Sequence, residues 1–548
     1  MVISLTTFFN KKLIDYFTWL AVISIILLTA TIRLRLLSIP LDRDEGTYAY
    51  IADLLLKGNP PYTQAYATRF PGIYYVYAFF FLLFGQNSLS IHLGLLIANA
   101  VSVLLIFLIG KHLFVRWTGI IAGAVYAIIT LNPTGLGFSA ESEHFVVLLS
   151  TSAILVMLIA IDSNRLFHFF LCGILFGLMA LLKQNSIIIF LSSMVYIIFV
   201  FLKKEILPRK KMATNVLIIL AGFIIPITII CIYFIYKDNF GKFFFWTITY
   251  VKYHTFGISL IQGLENFLSV LPLVIPSSLL LVYFAMLVGV ASFFVDKDIR
   301  IHLPFISLFT FGLFLSICTP GLYFRPHYFI VFLPAVAVLS GLGIVFIYKL
   351  LAEIKKPASA LFVSVVFTII MLILPLIKER KFLFCMTPDE ACRRIYIGNP
   401  FPESLKIADY IKKHTTENDR IAIIGSEPQI YFYSDRNSAT KYTCIHRVVD
   451  TNEVALQMQK ELITEIESAK PKYLIFANVI TSWFDVSNQS NKPILDWAVN
   501  FLEKHYNLDG IIDILSNETP ELTVYKWGSE AVNYSPRSNC FLCVFKKK

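Results

Sequence analysis

The feature that most constrains this chain is a succession of long apolar runs. A helix needs roughly 20 mostly apolar residues to cross a bilayer. Eleven such runs are read near 16–38, 90–110, 117–134, 143–161, 166–182, 185–202, 214–236, 268–294, 302–318, 328–348 and 360–377. The fifth and sixth are short, and only Lys183 and Gln184 separate them. Composition agrees: 57% of the residues are apolar or aromatic and 15% are charged, where an average soluble domain carries about 25% charge. So few charges cannot cover that much apolar surface in water, and the chain is too apolar to be disordered. A soluble globular protein is excluded. The expectation is a polytopic α-helical membrane protein over 1–377, followed by a more polar domain over 378–548. No small-residue cleavage site follows the first run, which therefore reads as a retained helix.

The formal charge of +11 raises the question of a polyanionic partner. Residues 378–548 hold 22 basic and 22 acidic side chains, so the whole excess lies in the apolar part. Short cytoplasmic loops of membrane proteins are enriched in Lys and Arg. With the N-terminus inside, the cytoplasmic loops collect fifteen basic residues against six acidic, and the opposite face ten against eight. The charge is thus a topology signal, and no nucleic-acid partner is called for. An odd number of spans places 378–548 outside a cell (inner) membrane.

Two outer segments are long, 39–88 and 237–266, the second rich in aromatics including Trp246 and Tyr250. Within the first, Tyr48, Ile51, Ala52, Leu55 and Leu56 recur at helical spacing. This predicts an amphipathic helix over 46–57 lying on the membrane surface, ended by Gly58-Asn59-Pro60-Pro61. In the C-terminal part, helix patterns at 403–414, 452–469 and 493–505 alternate with strand-like runs at 420–425, 472–477, 510–515 and 522–527. The alternation predicts a small α/β domain with a largely parallel sheet. It carries neither GxGxxG nor a Walker A sequence, so nucleotide binding has no support. Cys540-x-x-Cys543 has no second pair at metal spacing, which favours a structural or incidental role.

The strongest chemical signal is Asp42-Arg43-Asp44-Glu45, directly after the first span. Carboxylates at a membrane boundary are costly unless solvated or functional. The plain alternative is a solvated loop in which Asp44 caps a helix and Glu45 occupies its first turn. Other polar groups stand at outer span ends. Glu141 and Glu143 open the fourth span, Arg69 precedes Phe70-Pro71, Lys183 divides two apolar runs, and Arg325-Pro326-His327-Tyr328 opens the tenth. Each has its own plain alternative: a solvated first turn, a snorkelling lysine or an ordinary loop. By the topology above all face one side, where a single cleft could hold them. A carboxylate base beside several cations suits a reaction in which a hydroxyl is activated while a phosphate is held.

At these residues the sequence resembles the GT-C superfamily of membrane glycosyltransferases. It is most similar to bacterial members akin to protein O-mannosyltransferases and to the aminoarabinose transferase acting on lipid A. The Asp-Glu pair after the first span, the surface helix, the basic residue before a proline and the Arg-Pro-His-Tyr segment carry the likeness. It covers about 1–377, and the α/β domain looks like the C-terminal part of many bacterial members. The resemblance implies inverting transfer of a sugar from a polyprenyl-phosphate carrier to an acceptor on the outer face. It makes Asp44 the candidate base and Glu45 its partner. Arg69, Lys183 and Arg325 become candidate ligands of the lipid phosphate, with His327 and Tyr328 beside it. Glu143 matches a second acidic position, for which Glu141 competes, and Asp42 has no counterpart. The implied partners are the lipid-linked donor, membrane lipid, and a lipid, protein or glycan acceptor. No metal-ligand spacing stands out, and a divalent cation stays open as a cofactor. The competing readings are a flippase or transporter of lipid-linked sugar and an envelope polysaccharide ligase or polymerase. Against a transporter, the ionisable residues sit at span ends rather than at mid-depth, and the halves show no repeat.

Overall fold

The computed structural model describes residues 11–204, 208–255, 258–449, 453–483 and 493–548. The chain divides into two compact units. The first comprises Met1–Arg35, His92–Ile232 and His254–Cys385, and the second Leu36–Ile91, Tyr233–Tyr253 and Met386–Lys548.

The first unit is helical. Each apolar run of the sequence contains a helix, and eight helices among the described residues are long and apolar enough to cross a membrane. The run at 268–294 is not one span. It breaks at Ile275-Pro276 into helices Leu260–Val274 and Leu280–Val295, where proline removes a backbone donor and disfavours helix in the residue before it. The run at 328–348 begins as a 3-10 turn, Pro326–Phe332, before continuing as Leu333–Ile354. In lipid no hydrophobic force draws helices together, so association depends on close van der Waals contact at small residues. Gly289 and Gly343 provide it: a Cβ on Gly343 would stand 2.9 Å from the Gly289 nitrogen.

The cations ending the first span are used structurally. Arg33 is buried and donates to the carbonyls of Gly137 (2.6 Å) and Thr130 (2.9 Å). Arg35 donates to those of Leu383 (2.7 Å) and Phe382 (2.6 Å). They cap loop and helix-end carbonyls that have no helical partner of their own.

The second unit is built on a six-stranded sheet in the order β2-β1-β3-β6-β4-β5. The strands are β1 (Arg420–Ile424), β2 (Asn437–Ser438), β3 (Tyr473–Asn478), β4 (Tyr506–Asp513), β5 (Val524–Trp527) and β6 (Phe541–Lys547). The pairs of β1 with β2 and β3 are parallel, whereas β3–β6, β6–β4 and β4–β5 are antiparallel. The sheet is therefore mixed and not largely parallel, because β6 returns between β3 and β4. All eight cysteines are free thiols, including Cys540 and Cys543 at the start of β6.

The helix expected on the membrane surface runs from Arg43 to Leu56 and is enclosed by protein. Tyr48 packs on Tyr74 and Tyr77 of the Gly72–Phe84 helix, with ring centroids 6.0 and 5.7 Å apart. Tyr50 stacks on Tyr431, and its hydroxyl accepts from the Ser438 nitrogen at 2.8 Å. Gly46 approaches the helix Gln429–Ser434 so closely that a Cβ would meet the Gln429 backbone at 2.7 Å. The 3.6-residue pattern reported a buried helix, and protein covers the face assigned to lipid.

Asp513, fully buried at the end of β4, is the polar nail of this sheet. Burial alone pushes its carboxyl up. Hydrogen bonds from the Arg537 and Ser538 nitrogens, the Ser538 hydroxyl and the Tyr534 hydroxyl outweigh that and hold it below its ordinary value. A depressed carboxyl contributes stability that is present above its unfolded pKa of about 3.9 and is lost as pH falls through the folded value. Asp513→Asn turns an amide N–H₂ toward several of these donors and costs about 2–3 kcal/mol. Thermal melts of the full-length protein should show a lower midpoint for the variant at pH 7, and a gap that narrows below about pH 4.

Candidate active site

In the second unit the site begins with a helix N-terminus. Asp42 is the N-cap: its Oδ1 accepts from the Glu45 nitrogen (2.9 Å), and Glu45 Oε2 accepts from the Asp42 nitrogen (3.1 Å), closing a capping box. Asp44, expected as the cap in the plain alternative, is not the cap. Around it the polar groups are engaged. Tyr396 donates to Asp42 Oδ2 (2.8 Å), the Leu41 nitrogen donates to the Tyr433 hydroxyl (2.7 Å), and Arg43 Nε donates to the Ser426 carbonyl (2.6 Å). Glu45 is buried within this turn. Asp44 is the exception, with a side chain 40% exposed and Oδ2 at 3.8 Å from Arg69 Nη2.

Asp44 and Arg69 open on a pocket of about 570 Å³. Its walls include Tyr66, Trp246, Tyr442 and Thr443. Trp246 rises from a π-helical turn, Phe245–Thr249, a rare conformation that recurs at functional sites. Its ring stacks near Tyr66 with centroids 4.5 Å apart, and Tyr442 stands edge-on to Tyr66 at 5.3 Å. Of these wall residues only Trp246 carried a signal in the sequence, as one of the loop aromatics. Tyr66, Tyr442 and Thr443 sit in stretches with no pattern of their own.

The first unit gathers a cluster of its own. Glu143 lies in the first turn of helix Ser142–Ser163 and is completely buried. Lys183 is held in extended conformation between the helix Leu166–Leu182 and the turn Gln184–Ser186, and its side chain is 3% exposed. Lys183 Nζ donates to Glu143 Oε1, and Ser142 Oγ donates to Glu143 Oε2 at 2.9 Å. Lys183 Nζ also stands 4.1 Å from the Tyr328 ring centroid, and His327 Nε2 stands 3.8 Å from Glu143 Oε1. The lysine does not snorkel; it turns inward onto a carboxylate and an aromatic face. Glu141 is buried beside this cluster, and one of its carboxylate oxygens lies within 4.8 Å of a His327 ring nitrogen. That oxygen–nitrogen pair suits a divalent cation. Arg325 precedes the turn and is exposed.

Chemically, the first-unit cluster is a buried cation with its counter-ion and a ring, which suits an anion entering from the side. The second-unit site is a carboxylate at a solvent-connected pocket, which suits accepting a proton from a hydroxyl.

A family model described as dolichyl-phosphate-mannose-protein mannosyltransferase matches residues 68–230. No curated protein matches the chain. Among solved structures, it is similar to the Archaeoglobus fulgidus oligosaccharyltransferase tethered with an acceptor peptide containing the NVT sequon. That similarity has a TM-score of 0.51 at 13% identity, over 93% of this chain and 74% of that one. ArnT from Cupriavidus metallidurans bound to undecaprenyl phosphate scores 0.51 at 13% identity, over 83% and 92%. The Archaeoglobus enzyme in complex with Zn and sulfate scores 0.50 at 12% identity, over 94% and 74%. These are GT-C superfamily members, so the resemblance read from the sequence holds: this is a membrane protein with the GT-C fold and a mannosyltransferase-like segment.

The buried pair generates a test. Removing one partner of a buried ion pair costs about 3–5 kcal/mol, chiefly because the other charge is stranded. Lys183→Met should therefore lower the melting temperature sharply, and Lys183→Met/Glu143→Gln should recover most of it. If the lysine serves an anionic substrate, the recovered double variant still lacks substrate binding. If its role is structural, stability and binding recover together.

Proposed function

We propose that the protein is a glycosyltransferase that moves a sugar from a polyprenyl-phosphate carrier to an acceptor hydroxyl on the extracytoplasmic face of the membrane, with inversion. The observation that carries this reading is Asp44. It is the partly exposed carboxylate of the first helical turn after the first span, and it opens on a pocket and is balanced by Arg69. The matched mannosyltransferase family model and the undecaprenyl phosphate bound by ArnT support a lipid-linked donor.

In this reading Asp44 takes the proton of the acceptor hydroxyl as its oxygen bonds to the anomeric carbon. The bond from that carbon to the phosphate oxygen breaks on the opposite face, which inverts the configuration. The leaving phosphate needs no proton once cations match its charge. Lys183, Arg325 and Arg69 supply that charge, His327 and Tyr328 line its approach, and Glu143 holds Lys183 in place. Glu45 orients Asp44 through the capping box. A divalent cation, when bound, adds charge neutralisation, and Glu141 with His327 would hold it.

Full-length protein reconstituted with radiolabelled polyprenyl-phosphate sugar tests the base. Asp44→Asn should lower transfer about 10²–10⁴-fold with little change in donor affinity. Unchanged transfer removes Asp44 from the role, and lipid movement without covalent transfer makes the protein a flippase.

Orientation is tested on intact cells with an impermeant thiol reagent. Exposed Cys385, which follows the last span in the chain, should label from outside. A cysteine at position 210 (Lys210→Cys) should label only after lysis. The reverse pattern inverts the topology.

A further inference from the structure

Deepening the proposed transferase reading, on which its phosphate arm rests, we infer that Tyr62 is a positioning residue: its hydroxyl clasps the Arg69 backbone and so fixes the Arg69 guanidinium beside Asp44, in place for the leaving phosphate. All the groups involved belong to the second unit. Arg69 sits in a stretch with little regular structure to hold it. Residues 57–71, between the helices Arg43–Leu56 and Gly72–Phe84, form neither helix nor strand, so the Arg69 carbonyl belongs to no backbone ladder. A long cationic side chain on an unanchored backbone spreads over many positions. Yet Arg69 Nη2 stands 3.8 Å from Asp44 Oδ2, beside the pocket. The residue needs an anchor.

Tyr62 supplies it. Its hydroxyl donates to the Arg69 carbonyl at 2.6 Å and closes the loop 62–69 on itself. Its backbone has a φ of +67°, in the left-handed region, where a bulky side chain is strained. Glycine adopts that conformation at no steric cost, so a tyrosine there has to be explained by its side chain. Strain held in this way clusters at functional sites. A phenyl ring alone would fill the same space, and only the hydroxyl reaches Arg69. Tyr62 is fully buried, and burial pushes its hydroxyl well above the ordinary tyrosine value. It therefore stays protonated, and a donor, throughout the neutral pH range.

The clasp is itself anchored. The Tyr62 ring packs against Tyr74, Phe234 and Phe243, with centroids 6.3, 5.6 and 5.8 Å away. Phe234 and Phe243 stack on each other at 4.7 Å, and Phe70, next to Arg69, lies 5.8 Å from Phe243. On the other side of Tyr62, the Pro61 carbonyl accepts from the buried Asn239 Nδ2 at 2.7 Å. Two residues beyond Arg69, the ring of Pro71 locks its own φ at −74° as the chain enters the next helix. A cation whose backbone is fixed before a ligand arrives loses less freedom when an anion binds. The rival role for Tyr62 is core packing, which its ring performs without the hydroxyl.

The test uses full-length protein in nanodiscs and Tyr62→Phe, which keeps the ring and removes only the donor. The first readout needs no substrate: the rate at which phenylglyoxal modifies Arg69, followed by peptide mass spectrometry. Tyr62→Phe should raise that rate about 3- to 10-fold, the worth of one hydrogen bond. Phe234→Leu, which loosens the packing of the same ring and keeps the donor, should lower the melting temperature and leave the Arg69 rate near wild type. The second readout is binding of farnesyl phosphate, a short isoprenyl phosphate. Tyr62→Phe should weaken it about 3- to 10-fold and Arg69→Ala about 10- to 100-fold. Because Tyr62 acts through Arg69, Tyr62→Phe/Arg69→Ala should bind no more weakly than Arg69→Ala alone. In the transfer assay Tyr62→Phe should raise the donor KM and leave the acceptor KM unchanged. An unchanged modification rate in Tyr62→Phe, the same rise in Phe234→Leu, or losses that add in the double variant would each overturn the positioning role. A raised rate with equal farnesyl phosphate binding in wild type, Tyr62→Phe and Arg69→Ala would leave the clasp standing and remove Arg69 from the phosphate site of the transferase reading.

Discussion

The chemistry proposed for Asp44 depends on how the first turn of its helix is held. A helix start leaves four backbone donors without intrahelical partners. Here Asp42 and Glu45 satisfy two reciprocally, and the flanking groups are tied to the sheet domain through Tyr396, Tyr433 and Ser426. Arg43 also stands 3.6 Å from Glu427, a carboxylate just after β1 that accepts from Ser482. Burial pushes the Glu427 carboxyl above its ordinary value, and the Arg43 guanidinium opposes that shift. Three of the four charged residues in Asp42–Glu45 therefore build the turn. The fourth faces the pocket, from a backbone that those three hold still.

Burying charge is the second constraint. A buried ion pair recovers little more than its desolvation cost, so such pairs are weak evidence for stability. Among the described residues two pairs have both partners almost wholly enclosed, Arg393–Glu403 in the sheet domain and Lys183–Glu143 among the helices. The first is locked by a carbonyl from Asn399 and a hydroxyl from Thr523, which is what a structural pair requires. The second sits where one helix stops and another has not begun, beside an aromatic face and an imidazole. A break in the helices with a cation inside it costs stability twice over, and a substrate anion is a reason to retain it.

Hydropathy made the spans legible because crossing a bilayer forces a run of apolar side chains however the helices pack. Breaks within runs are harder to read, and Ile275-Pro276 is the signal that marks this one. The acidic run was legible as a site, but its internal roles were not, since Asp42 and Asp44 are equally good caps by type. The spacing from Asp42 to Glu45 is that of a capping box and would have chosen between them. Lys183 could not be placed from sequence at all. Its partner Glu143 lies 40 residues away, and a hydropathy profile draws a snorkelling lysine and a buried one alike. The sheet read as largely parallel because β6, a short alternating strand that runs into the terminal lysines, resembles a tail until its pairing with β3 and β4 is known.

The two clusters differ in exposure, and the difference matches the work proposed for each. A base that receives a proton from an incoming hydroxyl must be reachable. Asp44, its side chain 40% exposed at a pocket mouth, meets that need. A cation that neutralises a leaving phosphate acts more strongly where water is excluded, because the interaction grows as the local dielectric falls. Lys183 is 3% exposed, and its partner Glu143 is not exposed at all. Had the exposures been reversed, a buried Asp44 would be out of reach of an incoming hydroxyl, and a solvated Lys183 would be screened from any phosphate. Each environment is thus the one that the proposed role requires.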